Sequence, residues 1–405
     1  MTVDAEVVVI GAGPAGSLAA RQLARKGHSV LLLEEHANVG RPVHCAGLIG
    51  IEGLRNNGII PRPEVIIQRV KQSIFHAPSG VQLRLSKAEP HAFVVHRDCL
   101  DSQLAQEAEA AGAKLHLRTH VSKIRRERDE MRLNIKDKGQ AAEIRTQFVV
   151  NAEGINAQLM KPFNLPRPKP RYMLPALQYE VSNVSLPIDT VHLFFNTQLA
   201  KDFFAWVIPL DNHHARVGLA TANKQAPAAL SKFFNSCSLT VGAKIEKRYG
   251  GIVYSGGPSS RTVAQRFVNI GDAAGHTKAT TGGGVVAGGA CAIMAASSIH
   301  RALKGTYYNH DELRRYERRW KRSWGRQLHL MALLRRLVNT LDNQEMDQLF
   351  SSLQHSKTRK LIETEGDIDR QGRVIQAAFT SPVLLRSALR LLFTKVRFLP
   401  KLLWG

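Results

Sequence analysis

The stretch that most constrains the fold is residues 6–35, EVVVIGAGPAGSLAARQLARKGHSVLLLEE. Val7 to Ile10 form a continuous apolar run, which is typical of a parallel strand covered on both faces. A second apolar run, Val30 to Leu33, ends at Glu34. Between the runs stands a G-x-G-x-x-G spacing made by Gly11, Gly13 and Gly16. The order of strand, glycine turn, helix and strand predicts a βαβ unit that binds a dinucleotide.

Each position of this unit has a physical role in binding such a ligand. Gly11 permits a tight turn, Gly13 lets a pyrophosphate approach the backbone, and Gly16 lets the helix pack closely on the strand. The helix N-terminus receives the phosphates, and the carboxylate of Glu34 can bond a ribose diol. Glycines that serve only a turn are the alternative, but strand, helix and acid all stand where a cofactor requires them.

A second glycine-rich stretch, RFVNIGDAAGHTKATTGGGVVAGGACAIMAASSI (266–299), favours FAD over NAD as the cofactor. It predicts a strand at Phe267 to Ile270, then Gly271-Asp272, then a glycine cluster that opens a long helix. Asp272 can hold a ribityl or ribose hydroxyl. The amides of Thr281 to Gly284 can face a phosphate or a flavin pyrimidine edge, and the positive end of the helix favours an anionic reduced flavin. The alternative is a glycine-rich helix start without a ligand.

Composition excludes several classes of protein. Hydrophobic residues make up 44% of the 405 residues, which excludes a disordered chain and allows two or three domains. The four cysteines, Cys45, Cys99, Cys237 and Cys291, are scattered without metal-ligand spacing, so we expect no metal site and a reduced, cytoplasmic protein. The uncharged segment 279–299 is about long enough to span a membrane, but its glycines favour a buried core helix.

The chain is strongly basic, with 56 Lys and Arg against 33 Asp and Glu and a net charge of +23. This charge favours an anionic partner, and because no nucleic-acid-binding module is recognisable, a membrane surface or an acidic protein is the better expectation. The segment SPVLLRSALRLLFTKVRFLP (381–400) has arginines and apolar residues on different helical faces. That pattern is typical of a helix in a membrane interface, or of a helix docked on the protein's own core. The arginines are Arg386, Arg390 and Arg397, and the apolar residues are Leu385, Leu389, Leu392, Val396 and Leu399.

Together these stretches resemble the FAD-dependent geranylgeranyl reductases of the para-hydroxybenzoate hydroxylase-like flavoprotein superfamily, over most of the chain. RPVHCAG (41–47) is similar to the family loop after the first βαβ unit, and HRDCLDSQLAQEAEAAGA (96–113) to the segment whose arginine lies along FAD. FFAWVIP (203–209) resembles the aromatic-x-Trp-x-Phe-Pro motif of the isoprenoid pocket. LRRYERRWKRSWGRQL (313–328) resembles the family's C-terminal helix.

The sequence also departs from the family pattern. Phe204 stands in place of a tyrosine, Ile208 in place of a phenylalanine, and Ala279 in place of a proline. The superfamily's middle Ala-Asp-Gly fingerprint appears as Ala152-Glu153-Gly154, and its later serine is Ala157. Since that region helps nicotinamide reach the flavin in hydroxylases, the change argues against a hydroxylase and against direct reduction by NADPH.

The resemblance implies an α/β fold with three parts. A discontinuous Rossmann-like FAD-binding domain is expected from residues 1–60, 97–165 and 264–304. An inserted antiparallel β-sheet domain that binds the isoprenoid substrate is expected from 61–96 and 166–263. A basic, helical C-terminal region is expected from 305–405.

The resemblance also implies a set of site residues. The FAD-binding residues are expected to be Gly11, Gly13, Ala15, Gly16, Glu34, Arg41, Cys45, Ala46, Gly47, Arg97, Gly271, Asp272, Gly283, Gly284 and Val285. Phe204, Trp206 and Pro209 are expected to contact the substrate, although core packing explains Phe204 and Trp206 equally well. Cys45 is the candidate proton donor, and the alternative for it is a small buried apolar residue.

The activity implied is reduction of C=C bonds in the geranylgeranyl chains of archaeal-type isoprenoid lipids, with hydride from flavin N5 and a proton from the protein or water. Two alternatives stay open: a hydroxylase or halogenase, and a non-catalytic flavin-containing lipid-binding protein. The expected location is cytoplasmic, peripherally on the inner face of the cell membrane. The sequence leaves the electron donor open between ferredoxin and NAD(P)H.

Overall fold

The computed structural model describes residues 4–305 and 310–372. The segment 381–400, with its separate arginine and leucine faces, lies outside the described residues, so the interfacial helix stays a prediction. The described chain forms an α/β fold with two large sheets, a small sheet and a helical region that follows residue 310. This architecture confirms the fold class. The exact limits of the three predicted parts stay a prediction.

The strands and helices follow one another in chain order. The strands are β1 Ala5–Ile10, β2 Val30–Leu33, β3 Leu48–Gly50, β4 Ile66–Val70, β5 Gln72–His76, β6 Gln82–Ser86, β7 Ala92–Val95, β8 Lys114–His116, β9 Thr119–Glu127, β10 Glu130–Asp137, β11 Gln140–Asn151, β12 Met173–Ser182, β13 Thr190–Phe194, β14 Ala205–Pro209, β15 His214–Ala220, β16 Lys244–Tyr254, β17 Val263–Ala264 and β18 Phe267–Asn269. The helices are α1 Pro14–Ala24, α2 Ile51–Asn56, α3 Arg97–Ala110, α4 Ala226–Ser236, α5 Val285–Lys304, α6 His310–Trp320, α7 Arg326–Val338, α8 Asn343–Leu353 and α9 Ser356–Glu365, with a π-helical turn at Lys321–Gly325 between α6 and α7.

The first large sheet carries the glycine turns. Its central order is β17-β18-β11-β1-β2-β8, and β1 pairs in parallel with both β11 and β2. Alternation along β1 directs Val7 and Val9 into the core formed with α1, α3 and α5, and Val8 and Ile10 into the core on the opposite face. Both faces of β1 are therefore covered, as its continuous apolar run predicts.

The opposite face of this sheet is covered by an antiparallel meander that the sequence reading did not identify. β10 pairs with β11 and with β9 in antiparallel register, and β11 continues from the meander into the parallel part of the sheet. The long strand β11 therefore belongs both to the antiparallel meander and to the centre of the parallel sheet.

The second large sheet has the order β16-β12-β15-β14-β13-β5-β6. Every neighbouring pair is antiparallel except β13 and β5, which come from separate parts of the chain and are parallel. Along β14, Ala205 and Val207 pack on the face covered by α4, whereas Trp206 and Ile208 point to the other face. The predicted antiparallel sheet is correct apart from that one pair. Strands β3, β7 and β4 form a separate small sheet that was not predicted.

Helix α5 is long and apolar enough to cross a membrane, by length and composition alone. Within the fold, 61% of its most apolar window is buried, and it packs against α1 and α6. This packing confirms the prediction of a core helix. Helices α6 to α9 then lead the chain back toward β6.

Candidate functional site

One cavity of about 1170 Å³ lies between the two large sheets and the helices that follow α6. An ordinary small-molecule site has roughly 300–1,000 Å³, so this cavity has room for more than one small ligand. Its glycine-rich end is defined by Gly11, Gly13, Gly271, Asp272, Gly283 and Gly284. Its apolar end is defined by Phe75, Leu193, Phe195, Phe204, Trp206 and Phe350. The ends meet at Gly282, where a Cβ would lie 3.5 Å from the Phe203 ring.

At the glycine-rich end, the turn before α1 leaves open space and free donors. Gly11 has a φ of +92°, and a Cβ on it would collide with the Ala152 carbonyl, so glycine is required there. Gly13 has an extended conformation that any residue adopts, and a Cβ on it would meet no atom within 4 Å. The N–H groups of Gly13, Ala15 and Gly16 make no hydrogen bond within the described residues. The turn thus offers donors beside empty space, as a phosphate-binding helix N-terminus requires.

The second glycine cluster places a carboxylate beside the start of α5. Thr277 donates its hydroxyl to Asp272 Oδ1 at 3.0 Å, and a Cβ on Gly284 would lie 2.5 Å from that same oxygen. Asp272 faces the empty cavity on one side and is surrounded by protein on the others. The surrounding protein removes water from the carboxylate, and this burial raises the pKa of Asp272. The carboxylate is placed to accept hydrogen bonds from hydroxyl groups of a ligand.

Only two of the four backbone amides that were predicted to face a ligand, those of Thr281 to Gly284, are free to do so. Thr281 and Gly282 donate their N–H groups to the Lys278 carbonyl, at 3.2 and 2.7 Å, so they are not available to a ligand. Those of Gly283 and Gly284 find no acceptor in the part of the chain that the structure describes. The loop therefore uses two of the four amides to close itself and leaves two for a ligand.

Glu34 follows β2 and lines the cavity, as its position in the sequence predicts. Its Oε2 accepts the Ala12 N–H at 2.9 Å, and its Oε1 accepts the His36 N–H at 3.0 Å. The glutamate thus ties the first glycine turn to the end of β2. A role in holding a ribose stays a prediction.

Cys45 lies in the loop 41–47 at the cavity wall and is half-buried. Its Sγ accepts the Gly47 N–H at 3.4 Å, and the Arg97 guanidinium lies close to it. Arg97 also forms a bidentate pair with Asp101, at 3.1 and 2.9 Å. Burial alone lowers the pKa of Arg97, but the charge and hydrogen bonds of Asp101 outweigh it, so this pKa lies above its ordinary value. The thiol is therefore held by a permanently charged neighbour.

The structure brings the expected cofactor residues to one place. All fifteen line the cavity: Gly11, Gly13, Ala15, Gly16, Glu34, Arg41, Cys45, Ala46, Gly47, Arg97, Gly271, Asp272, Gly283, Gly284 and Val285. Their roles toward a cofactor stay predictions. Arg41 is largely exposed and pairs with Asp98 at 3.1 Å.

At the apolar end, aromatic side chains form a continuous wall. Phe204 stacks on Phe203 with 4.3 Å between ring centroids, and lies 6.2 Å from the Trp206 ring. Trp206 donates its indole N–H to Gln178 at 3.0 Å and packs flat over Gly218, where a Cβ would lie 2.6 Å from the indole. Pro209 does not line the cavity. Three positions after Trp206 on a strand, it faces the opposite side of the sheet, so the structure gives no support for its predicted substrate contact.

Two cations in the cavity wall were missed by sequence reasoning. Arg335 of α7 is buried, donates to the carbonyls of Ala279 and Thr280 at 3.1 and 2.5 Å, and stacks over Phe203 at 4.7 Å. Burial lowers the pKa of Arg335 to about 10. The second cation, Lys278, precedes the glycine cluster and pairs with Asp369.

The helices after residue 325 supply much of the apolar end, although the sequence predicted only that this region is helical and basic, not that it lines a site. The residues they contribute are Leu334, Leu337, Val338, Leu341, Met346, Leu349, Phe350 and Leu353. Their apolar spacing in LRRLVNTLDNQEMDQLFSSL (334–353) was the available signal.

The glycine-rich end fits FAD. It combines an open approach to the backbone at Gly13, free N–H groups at two helix starts, and two carboxylates suited to hydroxyl groups. A sequence profile described as FAD binding domain matches residues 4–236, more than half of the chain. A digeranylgeranylglycerophospholipid reductase of Methanocaldococcus jannaschii is 30% identical over 359 residues, which cover 87% of this chain and 91% of that protein.

The chain belongs to the digeranylgeranylglycerophospholipid reductase family. A second member of the reductase family, digeranylgeranylglycerophospholipid reductase 2 of Methanothermobacter thermautotrophicus, is 30% identical over 86% of this chain and 91% of its own length. These matches confirm the resemblance found in the sequence, and the FAD domain profile confirms the cofactor.

Solved structures agree on the fold of the reductase family. A geranylgeranyl bacteriochlorophyll reductase-like protein of Thermoplasma acidophilum superposes with a TM-score of 0.87 at 21% identity, covering 96% of this chain and 99% of that protein. A flavin-dependent brominase superposes with a TM-score of 0.72 at 18% identity, covering 93% and 98%. At such identities the likeness concerns the fold alone.

Proposed function

We propose that this protein is an FAD-dependent reductase that saturates C=C bonds in the geranylgeranyl chains of archaeal-type isoprenoid lipids. The observation that carries the proposal is the continuity of the large cavity, in which a site suited to FAD opens directly onto an aromatic and aliphatic wall. The relatives named as digeranylgeranylglycerophospholipid reductases support the same chemistry.

When bound and reduced, FAD supplies the hydride for this reaction. The chain must then do three things: hold the cofactor, align an alkene against it, and provide a proton. The N–H groups at the starts of α1 and α5 serve the first task. The wall around Phe204 and Trp206 aligns the alkene, because it offers apolar contact to the lipid chain and few polar groups that would retain water in the site.

We assign the proton to Cys45, or to a water held beside it. An unactivated alkene accepts a hydride poorly, so a proton has to reach one carbon as the hydride reaches its neighbour. Cys45 is half-buried in the cavity wall, accepts a hydrogen bond from the Gly47 N–H and lies beside Arg97. The conjugate base that remains after transfer lies beside the Arg97 cation, which stabilises it.

The direct test uses protein reduced chemically under anaerobic conditions. It is incubated with geranylgeranyl phospholipids, and the lipids are then analysed by mass spectrometry. The expected result is a gain of one hydrogen molecule per reduced double bond. Bound FAD without any lipid turnover supports a non-catalytic lipid-binding flavoprotein. Rapid NAD(P)H oxidation with peroxide release in air supports an oxygen-using enzyme.

We further propose that the protein associates with the inner face of the cytoplasmic membrane through its positive charge. The net charge of +23 supports this, as do the seven Lys and Arg without any acid from residue 370 onward. Sedimentation with anionic and neutral liposomes tests it, with a chain ending near residue 373 as the comparison. Salt-sensitive binding to anionic liposomes, weaker for the short chain, is expected. Equal binding by both chains contradicts the proposed C-terminal anchor, and the charge is then better explained by an acidic electron donor such as ferredoxin.

A further inference from the structure

The segment that follows α9 crosses the cavity wall and contacts the glycine-rich end. We call residues 366–371 the C-terminal strap. Lys278 Nζ lies 2.5 Å from Asp369 Oδ1 and donates to the Ile368 carbonyl at 2.9 Å. Thr280 donates its hydroxyl to Gln371 at 2.5 Å. The strap is therefore bound to the loop that opens α5.

Lys278 forms the base of that loop. Its N–H donates to the Gly283 carbonyl at 3.1 Å, and its own carbonyl accepts the N–H groups of Thr281 and Gly282. Its side chain runs past the glycine cluster, since a Cβ on Gly283 would lie 2.9 Å from Lys278 Cε and 3.2 Å from Nζ. The ammonium group is thus fixed in the wall of the glycine-rich end.

Two glycines leave space for the carboxylate of Asp369, the partner of Lys278. A Cβ on Gly50 or Gly53 would collide with Asp369, so both glycines leave space for it. Asp369 Oδ2 is buried without a hydrogen-bond partner in the described part of the chain. The side chains of Lys278 and Asp369 are 6% and 3% exposed.

A buried ion pair of this kind is weak evidence for stability, because desolvation of both charges offsets much of their attraction. A charge in a site of low dielectric acts strongly on its neighbours, however. A positive charge beside a bound redox cofactor favours the form that carries more electrons. An adjacent negative charge opposes that effect.

We propose that Lys278 and Asp369 are positioning residues that set the charge felt by the bound flavin. Lys278 holds the glycine loop and favours the reduced flavin. Asp369, carried by the C-terminal strap, offsets this charge and so makes the reduced flavin a stronger reductant when the strap is docked. This inference rests on the proposed binding of FAD, but it does not depend on which lipid is reduced.

The experiment measures the midpoint potential of the bound flavin by equilibration with a reference dye, without lipid. Lys278→Met is expected to shift the potential to more negative values, and Asp369→Asn to more positive values. Lys278→Arg, which keeps the charge, is expected to restore the parent potential. Asp367→Asn is the matched control, because its carboxylate lies on the same strap but, among the described residues, accepts hydrogen bonds only from the backbone N–H groups of Asp369 and Arg370.

FAD content and thermal unfolding are measured first for every variant. If Lys278→Met fails to hold FAD, the Asp369→Asn shift alone decides. Flavin-loaded variants with the parent potential overturn the inference, as does an Asp367→Asn shift equal to that of Asp369→Asn. A parent protein that binds no FAD overturns the proposed function itself, which keeps the two failures distinguishable.

Discussion

The glycine-rich end and the apolar end share one cavity but are built in different ways. The glycine-rich end is made largely of backbone, at two turns that each follow a parallel strand and open a helix. The apolar end is made of side chains from three separate parts of the chain: β5 and β6, the strands β12 to β14, and helices α7 to α9. The ligand-binding groups of the glycine-rich end therefore come from short local segments of the sequence, whereas those of the apolar end are brought together only by tertiary packing.

The largest expected effect concerns the backbone approach at the glycine-rich end. Gly13→Val should leave the fold intact, because the residue is extended and its Cβ meets no protein atom. The valine side chain should occupy the space of the pyrophosphate and weaken FAD binding on the order of 100-fold, or about 2.7 kcal/mol. Flavin absorbance of the purified protein and titration with FAD measure this.

Gly13→Ala should have a smaller effect in the same direction. The control is Gly250→Ala in strand β16, where a Cβ makes only an ordinary contact with Leu177. Full flavin content in Gly13→Val would show that the turn has only a structural role. The backbone of the glycine-rich end would then not be what binds the ligand, and the contrast with the apolar end would be wrong.

The second prediction concerns the proton. Cys45→Ser keeps the hydrogen bond from Gly47 but offers a much weaker acid, so alkene reduction should slow, by at most about 10²-fold, with FAD content unchanged. Single-turnover reduction of a geranylgeranyl lipid measures the rate. Cys99→Ser is the matched control, since Cys99 is exposed on α3. A parent rate in Cys45→Ser would reject the proton-donor role, and lost flavin would assign the loop a structural role.

The difference between the ends also explains what could be predicted from the sequence. The turns at Gly11 and Gly271 were found because each stands between an apolar strand and a helix that are neighbours in the sequence, and the observed strands and helices agree with that interpretation. Pro209, which does not line the cavity, was included because a motif was carried over without the alternation of the strand that bears it. Lys278 and Arg335 were missed because their partners lie 91 and 56 residues away in the chain, at Asp369 and Ala279. Local pattern does not encode such contacts.

The third prediction separates lipid contact from core packing at the apolar end. Trp206→Phe removes the indole N–H and leaves the buried Gln178 oxygen unpaired, at a cost of about 1–3 kcal/mol in the free energy of unfolding. The matched variant is Trp320→Phe, which removes a similar bond to Thr262 away from the cavity. Denaturant unfolding should show similar losses, whereas only Trp206→Phe should raise KM for the lipid. Equal KM values would make Trp206 a core residue alone.

The smallest effect is expected from acid, on the sheet that carries the apolar end. His76 Nε2 lies 3.0 Å from His192 Nδ1 on the parallel strands β5 and β13. Burial, with the nearby charge of Arg84, lowers the pKa of each from its ordinary value of 6.5 to about 4. For His192 the charge of His76 adds to this lowering.

Because the folded pKa values are lowered, the unfolded chain binds protons more readily than the folded one. Stability should therefore be independent of this pair above pH 6.5 and should fall as the pH drops from 6.5 toward 4. A variant with both His76→Gln and His192→Gln should lose stability less steeply across that range, as followed by denaturant unfolding at several pH values. Some slope should remain, because burial lowers the pKa of His276, near the glycine-rich end, to about 3. If the double variant has the parent slope, the acid response belongs to the other buried histidines, His276 and His91 among them, and to the carboxylates, and the His76–His192 pair does not contribute to it.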